Sequence, residues 1–266
     1  MKKKVTLRDI ASEAGVSVAT VSYVLNNRDD QCISEETRKK VLQIVNLYGY
    51  RINFSAKSIS SGKTNNIALY LGHGSFALKR AENMLLIRRL AKHLKDMGLT
   101  LRVVDNTETS RLDYCDAVIC CDQEESFFKQ VGDVNFCPLI ALDMFIDDLL
   151  FCQVNTNYEK INNIAHKIFN SDDFVVLCYH YRNSGLKNEL CSTFKNIVFI
   201  DSFEQINQYK NSNIVAIGEM LGQYCKSLNS NTLSFDLCSH DKIDILLSVI
   251  EKTINRSEDI VHDVRI

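Results

Sequence analysis

From residue 67 onward, short apolar runs rich in β-formers alternate with amphipathic helical patterns, an order that few folds accept. The runs are IALYLG from 67, LTLRVVD from 99, DAVICC from 116, PLIALDM from 138, FCQVN from 151, FVVLCY from 174, NIVFID from 196, NIVAIG from 213 and TLSFD from 232. Helical patterns fall near 78–97, 123–131, 157–170, 186–194, 203–210, 219–228 and 241–255. In the first, Met84, Ile87, Ala91 and Leu94 form the expected inner stripe and Gly98 the stop. Continuous apolar strands between amphipathic helices predict parallel sheets covered on both faces. The expected architecture is an α/β body of two doubly wound lobes, with a cleft at the carboxyl ends of the strands.

The first 63 residues read differently. They hold 11 Lys and Arg against 6 Asp and Glu, a net of +5, whereas the remainder holds 20 against 27, a net of −7. A basic head on an acidic body is the asymmetry of a small nucleic-acid-binding module attached to something else. Within the head, VTLRDIASEAGVSVATVSYVLN (5–26) reads as two short helices joined by a glycine turn. Thr6 and Asp9 have capping-box spacing, followed by Leu7, Ile10, Ala11 and Ala14 at helical spacing. Gly15 ends that helix, Val16 anchors the turn and Ser17 caps the next. Val21, Val24 and Leu25 face inward, while Val18, Ala19, Ser22 and Tyr23 face out. A third helix starts at Ser34, with Thr37, Val41, Ile44, Val45 and Tyr48 as its inner stripe. The all-α head is thus a helix-turn-helix whose second helix is shaped to enter a DNA groove.

The strings TLRDIASEAGVSVATVSYVLN, ISEETRKKV and YGYRINFSAKSI resemble the head of the lac-repressor (LacI/GalR) family of transcription regulators, from Val5 to Ile59. The resemblance implies that Val18, Ala19 and Tyr23 read base edges. Such a face would recognise thymine methyls rather than make bidentate hydrogen bonds. It places Thr6, Ser17, Thr20, Ser22, Asn26, Ser34 and Thr37 on the DNA backbone, where they set register without reading sequence. It also implies a hinge helix that pairs with its twin in the minor groove, with Asn53, Ala56 and Lys57 in the pair and Ile59 as the wedge. Ile52 stands where the family usually has proline, which removes a helix-start signal.

The body is similar to the periplasmic-binding-protein-like body of the same family, but shorter. VNTNYEKINNIAHKIF, RNSGLKNEL with Arg182 and Gly185, and SFD with Asp236 carry that similarity. It implies an effector cleft, for which His73, Ser75, Arg182 and Asp236 are the candidates. Ile217 and Gly218 stand where the family typically has Asn-Asp.

The expected domains are a helix-turn-helix with hinge at 1–58, the hinge end and linker at 59–66, and the effector-binding and dimerisation body at 67–266. The expected function is a sequence-specific regulator, a repressor, bound as a homodimer to a pseudo-palindromic double-stranded operator and controlled by a small metabolite such as a sugar. The alternative makes the body only a dimerisation scaffold, indifferent to metabolites or controlled by a protein partner. No apolar run approaches the roughly 20 residues that span a bilayer, and MKKK leads into helix-capping sequence rather than a signal peptide. A cytoplasmic protein is expected. The ten cysteines show no CxxC pair and sit mostly in apolar runs, as reduced buried thiols. The six histidines lack metal-site spacing, and no nucleotide-binding or hydrolase motif occurs, so no enzyme, metal or cofactor is expected.

Overall fold

The structure is a computed structural model that describes residues 5–25, 33–48, 63–105, 107, 109–148, 150–257 and 259–266. The chain divides into two compact units, Met1–Gly62 and Lys63–Ile266.

The first unit contains α1 (Leu7–Ala14), α2 (Val18–Leu25) and α3 (Glu35–Leu47). Its apolar centre is Ile10, Ala11, Ala14, Val21, Val24, Val41 and Val45, contributed by all three helices. Tyr48 departs from the expected inner stripe. It is 43% exposed, and its hydroxyl lies beside Glu13 of α1. A phenol at the last turn of a short helix keeps its polar tip in water instead of entering so small a core.

The second unit holds two all-parallel sheets. Its elements run β1 (Asn66–Leu71), α4 (Ala77–Asp96), β2 (Thr100–Val104), β3 (Ala117–Cys121), α5 (Glu125–Val134), β4 (Leu139–Leu142), β5 (Cys152–Asn155), α6 (Tyr158–Phe169) and β6 (Val175–Tyr179). They continue through α7 (Ser184–Thr193), β7 (Ile197–Ile200), α8 (Phe203–Asn207), β8 (Ile214–Ile217), α9 (Glu219–Leu228), β9 (Thr232–Phe235), α10 (His240–Ile254) and β10 (Asp263–Arg265). The first sheet has the order β10-β5-β4-β3-β1-β2 and the second β7-β6-β8-β9. Both are doubly wound, and the strand order reverses between β1 and β3 in one sheet and between β6 and β8 in the other. Ligand-binding crevices form outside the strand ends at such points. Every strand expected from the apolar runs is present. The tenth, β10, pairs with β5 at the sheet edge and returns the chain to the first lobe.

The central strands β3, β4 and β6 are buried along their whole length, as expected of strands with helices on both faces. One apolar cluster runs from Ile67 and Leu69 in the first sheet through Leu246 and Ile250 of α10 to Val176 and Val215 in the second. The two lobes therefore share a core. Seven cysteines among the described residues are buried in these apolar layers, including Cys120 and Cys178, whose thiols burial pushes far above the usual range.

α4 corrects the expected phase of its buried stripe. Met84 is 63% exposed, and the inner face reads Lys79, Glu82, Leu86, Leu90 and Leu94. Its N-terminal half turns charged residues inward, which the apolar pattern alone cannot show.

Candidate nucleic-acid interface and the cleft of the body

In the head the turn is built from local hydrogen bonds. The Thr6 N–H and hydroxyl donate to Asp9 Oδ2 at 2.8 and 2.7 Å, and the Asp9 N–H donates to Thr6 Oγ1 at 3.3 Å. Gly15 adopts φ 67°, so the chain leaves α1 in a left-handed step that a side chain would strain. The Val16 N–H then donates to the Ala11 carbonyl at 3.0 Å, which fixes the entry of α2. Ser17 Oγ accepts from the Thr20 N–H at 3.0 Å and lies 2.9 Å from Thr20 Oγ1. Ser34 repeats the arrangement with the Thr37 N–H at 3.2 Å and Thr37 Oγ1 at 2.8 Å.

α2 buries Val21 and Val24 and leaves the opposite side open. Val18 is 40% exposed, Ala19 is exposed, and Ser22 and Tyr23 are half-buried. Residues 18, 19, 22 and 23 project within about 140° of one another at 100° per residue, a single contiguous face. Thr6, Ser17 and Ser34 are exposed at the starts of the three helices, where their hydroxyls and the first amides can meet phosphates. Asn26 and the hinge residues Asn53, Ala56, Lys57 and Ile59 lie outside the described residues.

In the body, three of the four effector candidates meet and one does not. His73, Ser75 and Arg182 line a cavity of about 150 Å³ at the carboxyl ends of β1, β3 and β6, together with Lys79, Asp122 and Tyr181. Arg182 is tied in twice. Its N–H donates to Asp122 Oδ1 at 2.8 Å and its guanidinium to the His73 carbonyl at 3.4 Å. Pockets for drug-sized ligands run to roughly 300–1,000 Å³, so this space is small. Asp236 is not in its wall. It accepts from Arg89 at 2.6 Å and from the Cys238 N–H at 2.8 Å.

The groups that sequence reasoning missed are the buried charges of α4. Lys79 Nζ sits 3.0 Å from Asp122 Oδ2 and 4.7 Å from the centre of the Tyr181 ring. Burial alone would lower its pKa, but attraction to Asp122 prevails and holds it above the usual lysine value. One turn on, Glu82 accepts from the N–H groups of Glu219 and Met220 at 3.0 and 2.9 Å, and from the Tyr179 hydroxyl at 3.2 Å. Two further turns on, Arg89 donates to Asp236, to the Cys238 carbonyl at 2.7 Å and to Glu219 Oε2 at 2.5 Å. Asn183, fully buried, closes the same seam by exchanging hydrogen bonds with the main chain of Phe145 at 3.0 and 3.1 Å. Glu82, Asp236 and Cys238 also form the one set of grouped metal-ligand types among the described residues, and both carboxylates already hold donors of the chain.

Residues 6–53 match the family described as bacterial regulatory proteins, lacI family. The match covers the three helices of the head. It is 46% identical over 66 residues to the HTH-type transcriptional regulator RegA of Clostridium saccharobutylicum, covering 25% of this chain and 19% of that protein. It is 29% identical over 173 residues to the probable HTH-type transcriptional repressor ExuR of Bacillus subtilis, covering 62% of this chain and 51% of that protein. The matches thus span about half or less of these LacI-family relatives. Among solved structures, the lac repressor bound to ONPG superposes with a TM-score of 0.64 at 13% identity, over 99% of this chain and 97% of that one. The lac repressor dimer bound to operator and an anti-inducer gives 0.61, also at 13%, over 99% and 96%. At that identity the likeness shows a lac-repressor-like fold in each unit and nothing finer.

One signal could have located the missed cleft groups. Gly218 follows β8 at the start of α9 and has no side chain to cap it. A ten-residue helix that begins on a bare glycine inside a protein takes its acceptor from elsewhere. Here that acceptor is Glu82, 137 positions away.

Proposed function

We propose that this protein is a sequence-specific DNA-binding repressor that acts as a homodimer on a pseudo-palindromic operator. The observation that carries the reading is α2, a capped helix with an open face of Val18, Ala19, Ser22 and Tyr23 in a segment that the LacI family model matches. Val18 and Ala19 admit close approach and contact thymine methyls, and Tyr23 adds one hydroxyl and an aromatic face. Thr6, Ser17, Thr20, Ser22, Asn26, Ser34 and Thr37 hold the phosphates. Asn53, Ala56, Lys57 and Ile59 form the minor-groove hinge. Dimerisation doubles a contact area too small for specific binding by one head. The matched relatives are named as regulators, and no catalytic role is part of this reading. Among the described residues no helix is long and apolar enough to cross a membrane. On this reading the protein works in the cytoplasm, where its operator DNA lies.

The test is selection of bound DNA from a random pool by the full-length protein. A palindromic motif that changes when Tyr23 becomes Ala supports the reading, and recovery of no motif overturns it.

A second reading makes the body a metabolite sensor acting through His73, Ser75 and Arg182. One observation favours it. The buried hydroxyl of Tyr181, in the cavity wall, has no hydrogen-bond partner among the described residues. The cavity volume limits any such ligand to something smaller than a disaccharide.

A further inference from the structure

The first lobe and the second are joined across their cleft by side chains of α4. The amides of Glu219 and Met220 open α9 on the second lobe, and the helix dipole makes that end attractive to a negative group. Gly218, at φ 129°, offers no side-chain oxygen. The carboxylate that arrives is Glu82, from the first lobe, and it accepts from both amides. Gly218 is what admits it. A Cβ there would stand 2.7 Å from the Tyr179 ring and 3.2 Å from Glu82 Oε2. Arg89, on the same helix two turns further, is shared between Glu219 and Asp236 of the second lobe. Asp122 and Asn183 add two more crossings, to the Arg182 and Phe145 main chains. Phe76 and Leu78, at the start of α4, pack into the apolar cluster of the second sheet.

We propose that Glu82 and Arg89 latch the two lobes shut from within the chain, so that the body holds one arrangement without an effector. A ligand changes a conformational equilibrium only through a difference in affinity between two states. Lobes already bridged by a carboxylate and a guanidinium of the chain itself leave a ligand less of such a difference to supply. The body of this protein therefore sets a constant geometry. That consequence for operator binding rests on the repressor reading above, whereas the latch itself does not.

The experiment uses the full-length protein as wild type, Glu82→Gln and Arg89→Met. Gln keeps the size of Glu82 but offers a single acceptor oxygen to two amides. Met keeps the apolar stem of Arg89 and removes its donations to Asp236, Cys238 and Glu219. Hydrogen exchange is followed at the first turn of α9 and, as an internal reference, in α5. Both variants are expected to exchange faster at the start of α9 by tenfold or so, the size of a lost charge-assisted hydrogen bond, with α5 unchanged. Wild-type protein is then melted with hexoses, pentoses and their phosphates, and its affinity for the selected operator is measured with each. No sugar is expected to move either quantity. The latch is overturned if exchange at α9 is unaltered in both variants. It is equally overturned if a sugar or sugar phosphate stabilises the wild type and changes operator affinity. Failure to select any DNA would count against the repressor reading alone, because exchange at α9 judges the latch without DNA.

Discussion

The head and the body answer to different constraints. Among its described residues the head buries seven apolar side chains in its core, and on the reading proposed above it acts through what it leaves outside. On that reading, its outer positions must match a fixed partner, the DNA duplex, so the string of residues is informative position by position. The RegA match over the head stands at 46% identity. The superposition on the lac repressor, over 99% of the chain, stands at 13% identity. The layers of the body need apolar residues of suitable volume at the right period, and many sequences satisfy that. The lesson is that a short surface under external constraint is more legible than a large core under internal constraint.

Mutations that separate the two units sharpen this comparison, and the largest effect belongs to the small core. Ile10→Ala removes a fully buried side chain from the head and is expected to cost about 2–5 kcal/mol. So small a unit then unfolds and DNA binding is lost, while the cooperative melting transition of the body stays in place, as calorimetry would show. A single transition displaced as a whole would break the comparison. Gly218→Ala should do the reverse. It forces a Cβ against Tyr179 at positive φ, for about 2–4 kcal/mol, and lowers the body's urea midpoint. The isolated head of that variant is unchanged, so binding of a single half-site at low salt should survive.

Tyr23→Ala should shift base preference by 1–3 kcal/mol or so at the positions it reads, seen as a changed motif in selected DNA. Thr37→Ala should instead weaken binding evenly across sequences and leave its salt dependence unchanged, because a neutral hydroxyl releases no counterion. Thr6→Ala removes a capping box and should lower the head's stability by about 1 kcal/mol without altering the motif.

The smallest effect is a pH slope in the body. Burial holds the Glu82 carboxyl above the usual glutamate range, against the donations from Met220, Glu219 and Tyr179, and nearby Asp236 pushes the same way. The Cys238 thiol also lies within 4.8 Å of the Glu82 carboxyl and is kept neutral by burial. The folded body thus holds a proton at pH values where the unfolded chain has released it. That contribution is full below the ordinary value of 4.5 and is lost as pH rises through the folded-state value. Melting temperatures of wild type relative to Glu82→Gln should therefore fall as pH rises from acid toward neutral. A difference that grows with pH would contradict it.

What the sequence conveyed follows the same division. The caps at Thr6, Ser17 and Ser34 and the turn at Gly15 were readable because each is a local hydrogen-bond pattern three residues long. The strands of the body were readable because burial on both faces writes an unbroken apolar run. β10 was not, since Asp263–Arg265 carries one half-buried valine and is held by main-chain bonds to β5. The phase of α4 was misread because its inner face carries Lys79 and Glu82, which on a helix in water would mark the outside. Their partners lie 43 and 137 positions away, and no local period encodes that distance. Of the four cleft candidates, Asp236 was drawn into the Arg89 pair for the same reason.

The pairing of Glu82 with Gly218 also bears on how this cleft can change over generations. A side chain introduced at 218 collides with Tyr179 and Glu82, and loss of Glu82 first strips two amides at the start of α9 of their acceptor. Either order passes through a less stable protein. Descendants of this chain accordingly face a barrier against regaining an open cleft by single neutral steps, and the closed body behaves as a ratchet.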